Sequence, residues 1–171
     1  GTPAIQGQGK YFIDAGHSTT IYNGECVKIS SGYVVGGNGS AADIVGVLNG
    51  IFYNDASTLK PTFANFYKAT ITPANSEDTV AFVMDDPFQQ YVVSSDAART
   101  QAQFLETYDM NASAGSDTTG KSSSTLDTSE TGANNKQFRL IRSAEDPENE
   151  DITAAFFSGI VVSNLNSYNQ V

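Results

Sequence analysis

The segment GSDTTGKS, residues 115–122, matches the phosphate-loop pattern G-x-x-x-x-G-K-[ST] at every position. In a phosphate loop, backbone N–H groups and the N-terminus of the following helix bind the phosphates, and the lysine reaches the terminal phosphate groups. This chemistry requires a buried strand before the loop and a helix after it. The flanking sequence therefore decides whether the match predicts nucleotide binding.

The flanking sequence does not supply those elements. Residues 107–114, TYDMNASA, are not an apolar parallel strand, and residues 123–135, SSTLDTSETGANN, are too rich in β-branched and turn-forming residues for a helix. A carboxylate at Asp117 would also oppose an incoming phosphate. The sequence thus predicts a polar loop in which Gly115 and Gly120 allow sharp turns and Lys121 faces solvent or an acidic neighbour.

Two other residue types with catalytic potential occur once each. His17 lies in DAGHSTT, and no nucleophile elbow accompanies it, whereas a serine-type triad needs a histidine held by an acid and aimed at a nucleophile. Cys26 is the sole cysteine, which excludes a disulfide within the chain and a cysteine-based metal site. We therefore predict a loop histidine, a small buried thiol and no enzyme activity.

Two acidic clusters could bind a cation. Asp85 and Asp86 precede Pro87, and residues 146–151, DPENED, combine four carboxylates with Asn149. Calcium loops use carboxylate and amide oxygens of this kind, but neither stretch has the regular spacing of an EF-hand. We expect turn residues in both places, with a Ca²⁺ bridge at an interface as the alternative, and we predict no cofactor.

Length and charge restrict the function further. The 171 residues favour one domain. The net charge of −10 argues against direct nucleic-acid binding, because neutralising phosphates requires clustered lysine and arginine, and it argues equally against an anionic membrane surface. No apolar run approaches the ~20 residues of a membrane-spanning helix. The first ten residues have neither the basic start nor the apolar stretch of a signal peptide.

Apolar alternation and glycine-rich turns predict an all-β chain. In TVAFVMD, Val80, Phe82 and Met84 share one face while Ala81 and Val83 share the other, and most phenylalanines lie in such runs, where we expect them in the core. Short strands at this spacing predict a single β-sandwich or barrel. The other strand candidates are ECVKIS, NFYKATIT, FQQYVVSS, QFRLIRS and ITAAFFSGIVVSN.

Two segments depart from the strand pattern. Residues 96–107 predict one short helix, since Asp96 can cap it and alanine, arginine and glutamine favour helices. Residues 1–9 contain three glycines and a proline and predict an extended arm. We expect this arm to order on a neighbouring subunit, with Pro3 and Ile5 as anchors. The β-rich domain then covers residues 10–171.

An ordered set of segments resembles the head decoration proteins of tailed bacteriophages, also called cement or capsid-stabilising proteins. The resemblance covers the chain from Gly24 to its C-terminus, and the DDP turn and TGKS loop are its best markers. The segments are GECVKISSGYVVGG, IVGVLNGIFYND, KPTFANFY, VAFVMDDPFQQYVV, FLETYDMNASAGSDTTGKSSSTLD, FRLIRSAEDPENE and SGIVVSNLNSY.

The resemblance implies a non-enzymatic, β-sandwich or jelly-roll-like protein on the outer surface of the virion. It implies a homotrimer bound to the major capsid protein, and a TGKS loop that lies at the surface. The alternatives are a carbohydrate- or host-surface-binding β-domain, which requires a concave aromatic patch, and, less favoured, a hydrolase. Tyrosine is enriched at protein interfaces, and the candidate interface residues are Thr2, Pro3, Ile5, Asp85, Asp86, Lys121 and Tyr168.

Overall fold

The computed structural model describes residues 7–39, 43–111, 115–132 and 135–168. These residues form strands joined by turns, and none of them forms a helix long and apolar enough to cross a bilayer. The strands are β1 (Gly9–Ile13), β2 (Cys26–Ser30), β3 (Tyr33–Gly36), β4 (Gly46–Asn54), β5 (Pro61–Ala64), β6 (Thr79–Met84), β7 (Gln90–Ser94), β8 (Thr107–Met110), β9 (Leu126–Gly132), β10 (Phe138–Ser143) and β11 (Ser158–Ser163).

The strands form two antiparallel sheets that pack as a β-sandwich, which confirms the predicted fold class. The first sheet has the order β1-β6-β4-β2-β3, and β5 pairs with the C-terminal half of β4. The second sheet has the order β7-β11-β10-β8-β9. Neither sheet closes into a barrel within the described residues. Of the two predicted architectures, the structure therefore has the open sandwich.

The described residues form two hydrophobic cores, one on each face of the first sheet. The first sheet curls so that its end strands β1 and β3 approach each other, and its concave face encloses the first core. The second core lies between the sheets. The first core is centred on Ile13, Ile21, Val27, Leu48, Ile51, Tyr67, Ala81 and Val83. The second is centred on Cys26, Val47, Tyr108, Met110, Leu126, Phe138, Leu140 and Val161.

Strand β6 has the alternation that its sequence predicts. Ala81 and Val83 point into the first core and are fully buried, whereas Val80, Phe82 and Met84 lie on the opposite face and are partly exposed. The bulkier side chains of β6 therefore face away from the first core. Cys26 is buried in the second core, as predicted, and its thiol lies 2.8 Å from the Asn38 side-chain oxygen.

The helix predicted over residues 96–107 is present only as a three-residue 3-10 turn, Gln101–Gln103. Tertiary contacts override local propensity here. The Asp96 carboxylate accepts the Thr128 amide at 3.0 Å, so it binds β9 instead of capping a helix. Arg99 is buried, with its guanidinium 4.5 Å from the centre of the Tyr108 ring, and Thr107 already belongs to β8.

The structure describes only the end of the predicted arm, residues 7–9. Gly9 pairs with Val83 as the first residue of β1, because β1 completes the edge of the first sheet beside β6. Residues 1–6, which include the predicted anchors Thr2, Pro3 and Ile5, lie outside the described residues.

Candidate functional site

The phosphate-loop match folds as a self-bonded polar loop. The amides of Ser116 and Gly120 donate to the carbonyls of Lys121 and Ser116, at 2.9 and 2.7 Å, and the Ser122 amide donates to the Asn23 carbonyl at 2.9 Å. Gly120 has a φ of +69°, which favours glycine, so its predicted turn role is confirmed. Three of the loop's N–H groups are thus already bonded to protein oxygens, and the segment leads into strand β9 and not into a helix.

The two charged residues of this loop have different surroundings. Asp117 accepts a hydrogen bond from the Tyr22 hydroxyl at 2.8 Å and lies 3.6 Å from the Lys68 ammonium group. The side chain of Lys121 is exposed, as predicted. It lies at the mouth of a cleft of about 460 Å³ between the two sheets, whose apolar wall includes Met84 and Phe138 of the second core.

We predict that magnesium ATP at 5 mM leaves the amide chemical shifts of residues 115–122 unchanged. The amides of Ser116, Gly120 and Ser122 are bonded within the protein and cannot turn toward a phosphate without unfolding the loop. A two-dimensional ¹H–¹⁵N spectrum measures this directly, with sodium sulfate at matched ionic strength as the control. Saturable shifts in these amides with ATP alone would show that the loop binds nucleotide.

The structure brings Asp85 and Tyr168, two of the candidate interface residues, into one cluster. The hydroxyl groups of Tyr11 and Tyr168 lie 2.8 and 3.3 Å from the same Asp85 carboxylate oxygen and also contact each other. Burial and these neighbours raise the pKa of Tyr11 well above its ordinary value. The cluster therefore ties the C-terminal segment to the start of β1, which is a structural role that the sequence did not indicate.

The second acidic residue of the DDP turn has a local role. Asp86 accepts the amide of Phe88 at 2.9 Å, and its carbonyl accepts the amide of Gln89 at 3.0 Å, which is the geometry of an Asx turn. In the acidic turn 146–151, Asp146 likewise accepts the amide of Glu148 at 3.1 Å. Among the described residues, no three histidine, cysteine or acidic side chains converge into a metal-binding group.

His17 packs against a neighbouring aromatic ring. Its ring centre lies 5.5 Å from that of Tyr67, and the Tyr67 hydroxyl donates to the His17 carbonyl at 2.8 Å. Burial lowers the pKa of His17, and the charge of Asp14 partly offsets that effect. The contacts with Tyr67 place His17 in the packing around the first core.

A buried carboxyl group that the sequence did not single out is Glu25. It lies against Gly36, and one of its carboxylate oxygens accepts the Tyr22 amide at 2.9 Å. Burial raises the pKa of Glu25, and the hydrogen bond from Tyr22 offsets part of that rise. The folded protein therefore binds this proton more tightly than the unfolded chain does.

We predict that Glu25→Gln raises the free energy of unfolding at pH 8 and leaves it nearly unchanged at pH 4. A carboxyl group whose pKa is raised in the folded state contributes to the free energy of unfolding when the pH is below the pKa of the unfolded chain. This stabilising contribution is lost as the pH rises through the pKa of the folded state. Glutamine carries no charge at either pH and keeps the acceptor for Tyr22. Urea unfolding at both pH values measures the effect, with the exposed Glu148→Gln as control. An equal change at pH 4 and pH 8 would contradict the assignment.

The most prominent surface feature is a row of apolar side chains across four strands of the first sheet. In register, Phe12 of β1 pairs with Val80 of β6, Val80 pairs with Phe52 of β4, and Phe52 pairs with Phe63 of β5. Phe82 of β6 adds to this row. We call Phe12, Phe52, Phe63, Val80 and Phe82 the phenylalanine face.

The aromatic rings of this face contact each other. The ring centres of Phe52 and Phe63 are 4.8 Å apart, and those of Phe63 and Phe82 are 6.5 Å apart with nearly parallel planes. Gly50 pairs with Phe82 and has no side chain to separate the rings. Phe63 is nevertheless 73% exposed and Phe12 45% exposed. The expectation that most phenylalanines lie in the core is therefore wrong, since only Phe138 and Phe157 are fully buried.

The second sheet covers only part of the outer side of the first sheet. The phenylalanine face is the part that remains uncovered. Met84 follows Phe82 on the same side of β6, pairs with Val47 and packs in the second core. Toward the other end of β6, Phe82 and Val80 emerge from under the second sheet. An apolar surface that continues the inter-sheet core into solvent is typical of an interaction site.

The phenylalanine face ends in a concavity with carboxylates at its rim. The concavity has a volume of about 340 Å³, and its lining combines aromatic and aliphatic groups with acidic and amide ones. The lining residues are Phe12, Phe52, Tyr53, Asn54, Pro73, Glu77, Asp78 and Val80.

This arrangement can bind a partner through apolar contact and through acceptors for hydrogen bonds. None of the phenylalanine-face residues was among the candidate interface residues, because alternation in a strand does not say which face stays exposed. Comparisons of the chain with family models, with curated proteins and with solved structures give no match.

Proposed function

We propose that this protein is a decoration, or cement, protein that binds the outer surface of a tailed-bacteriophage head and stabilises the lattice of the major capsid protein. The observation that supports this proposal is the phenylalanine face. Exposed aromatic clusters are the usual anchors of protein interfaces, and they lose little conformational entropy on binding. A protein that works by attachment needs such a surface.

The mechanism is thermodynamic linkage. A subunit that binds the mature, expanded lattice and not its precursor stabilises that lattice by its binding free energy. In a homotrimer, three phenylalanine faces would bind neighbouring capsid subunits, and each contact after the first is intramolecular. The net charge of −10 suits a position outside the shell, away from packaged DNA.

The test uses heads of the encoding phage assembled without this protein. Purified protein is expected to cosediment with expanded heads at a fixed stoichiometry, to bind unexpanded heads weakly and to raise the temperature at which the heads release DNA. Light scattering of the purified protein gives its molar mass and so tests whether it forms the expected trimer. Saturated heads with unchanged heat resistance, or labelled protein located inside the shell, would contradict the proposal.

A second candidate function, carbohydrate or host-surface binding, is favoured by the concavity at the end of the phenylalanine face. Its lining places aromatic rings beside Asn54 and Asp78, a combination that also suits sugar rings. A glycan array with the purified protein separates the two functions. A specific glycan signal that Phe52→Ala removes would support the carbohydrate function, whereas a blank array favours the cement function.

A further inference from the structure

We propose that the concavity at the end of the phenylalanine face receives an arginine or lysine side chain of the bound partner protein. This inference rests on the proposed function, because it specifies the chemistry of the partner at the same face. The apolar face supplies contact area, and the concavity supplies the charge that selects the partner.

The rim of the concavity offers acceptors for hydrogen bonds. Glu77 and Asp78 are adjacent and exposed, and both line the cavity. The Glu77 carboxylate has only long contacts, 3.4 Å to the Asn54 amide nitrogen and 3.5 Å to the Asn75 amide nitrogen. A carboxylate has about four lone-pair directions, so Glu77 keeps capacity for a further donor. A guanidinium or ammonium group is a donor without acceptors and matches this rim.

Asp78 is fixed in place by its own neighbours. One of its oxygens accepts the Ala15 amide at 3.2 Å, and the charge of Asp78, together with a hydrogen bond, raises the pKa of Tyr33. These contacts restrict the position of the Asp78 carboxylate, and both Asp78 and Glu77 line the cavity.

The floor of the concavity also favours a cation. Phenyl rings attract a cation above their faces, and the rings of Phe12 and Phe52 line the cavity. Lys10 of the same chain already lies 5.8 Å from the centre of the Phe12 ring, so this face holds one ammonium group within cation–π range. The net charge of −10 adds long-range attraction for a basic partner.

The test on the isolated protein compares two peptides that differ only in charge, acetyl-Leu-Arg-Leu-amide and its citrulline counterpart. We expect the arginine peptide to shift the amides of Asn54, Glu77 and Val80 with a Kd at least fivefold lower than that of the citrulline peptide. Glu77→Gln should abolish this preference, while Glu148→Gln, which removes the same charge from the acidic turn, should keep it. Equal affinities of the two peptides for the wild-type protein would overturn the inference.

The test on heads separates this inference from the proposed function. Glu77→Gln should weaken binding to expanded heads about tenfold and reduce the dependence of binding on salt concentration, with Glu148→Gln binding as the wild type does. Heads that bind Glu77→Gln normally would overturn the inference and leave the cement function standing. An arginine preference without any head binding would support the inference and contradict the cement function. A dimer in light scattering that Phe63→Asp dissociates would assign the face to a second copy and overturn the inference.

Discussion

Replacing Phe63 by aspartate is expected to weaken the proposed binding to expanded phage heads at least 30-fold while the fold stays intact. Phe63 is 73% exposed and its ring packs beside those of Phe52 and Phe82, so it forms the β5 edge of the phenylalanine face. Removing an interface anchor costs about 2 kcal/mol or more, which corresponds to roughly 30-fold in affinity. A carboxylate placed on this apolar face adds a desolvation cost.

The same substitution should affect stability little, because the side chain is exposed and loses only aromatic pairs worth about 0.5–1.5 kcal/mol. Cosedimentation at several protein concentrations gives the affinity, and urea unfolding gives the stability. Phe88→Asp is the matched control, since Phe88 is 79% exposed in the turn between β6 and β7, away from this face. If both variants bound heads as tightly as the wild-type protein, the phenylalanine face would not be the capsid-binding surface.

Replacing Gly46 by alanine should lower the free energy of unfolding by about 3 kcal/mol and Tm by ~10 °C. Gly46 begins β4, where β2, β4 and β6 meet between the two cores. A Cβ atom there would overlap the carbonyl oxygen of Met84 and lie 2.9 Å from the Val83 side chain. Backbone cannot move aside as a flexible side chain can, so β6 would have to separate from β4.

Differential scanning calorimetry and urea unfolding measure this effect. Gly7→Ala is the matched control, because nothing lies within 4 Å of a Cβ atom built at Gly7 and the same methyl group there meets only solvent. A Gly46→Ala protein as stable as the wild type would mean that the close approach of β4 and β6 at Met84 does not hold in solution.

The sequence predicted where the strands lie better than it predicted which side of each strand is buried. The alternation of β6 is confirmed, yet a period of two is the same whichever face is buried. Phe82 was expected in the core with most other phenylalanines, but the concave side of the first sheet holds Ala81 and Val83, and Phe82 lies on the opposite side, where the second sheet leaves it partly exposed. The exposed phenylalanine face follows from that choice, which depends on the curvature of the whole sheet.

Other short sequence patterns predicted structure correctly only where the surrounding residues were taken into account. The phosphate-loop match at residues 115–122 was rejected from its flanking residues, and its amides are bonded to the protein itself. Residues 96–107 have helix-favouring side chains, but the burial of Arg99 against Tyr108 and the start of β8 at Thr107 leave no length for a helix. The contact between Asp85 and Tyr168 joins positions 83 residues apart, and no local pattern predicts it.

The strands of the two sheets come from separate halves of the sequence. Every strand of the first sheet precedes Asp85, and every strand of the second sheet follows it. The first sheet also encloses a core that uses only its own half of the chain. As the polypeptide leaves the ribosome, its N-terminal half can therefore collapse around Leu48 and Ile51 before the C-terminal half has been synthesised. In that order of events the second sheet would assemble on a surface that is already folded.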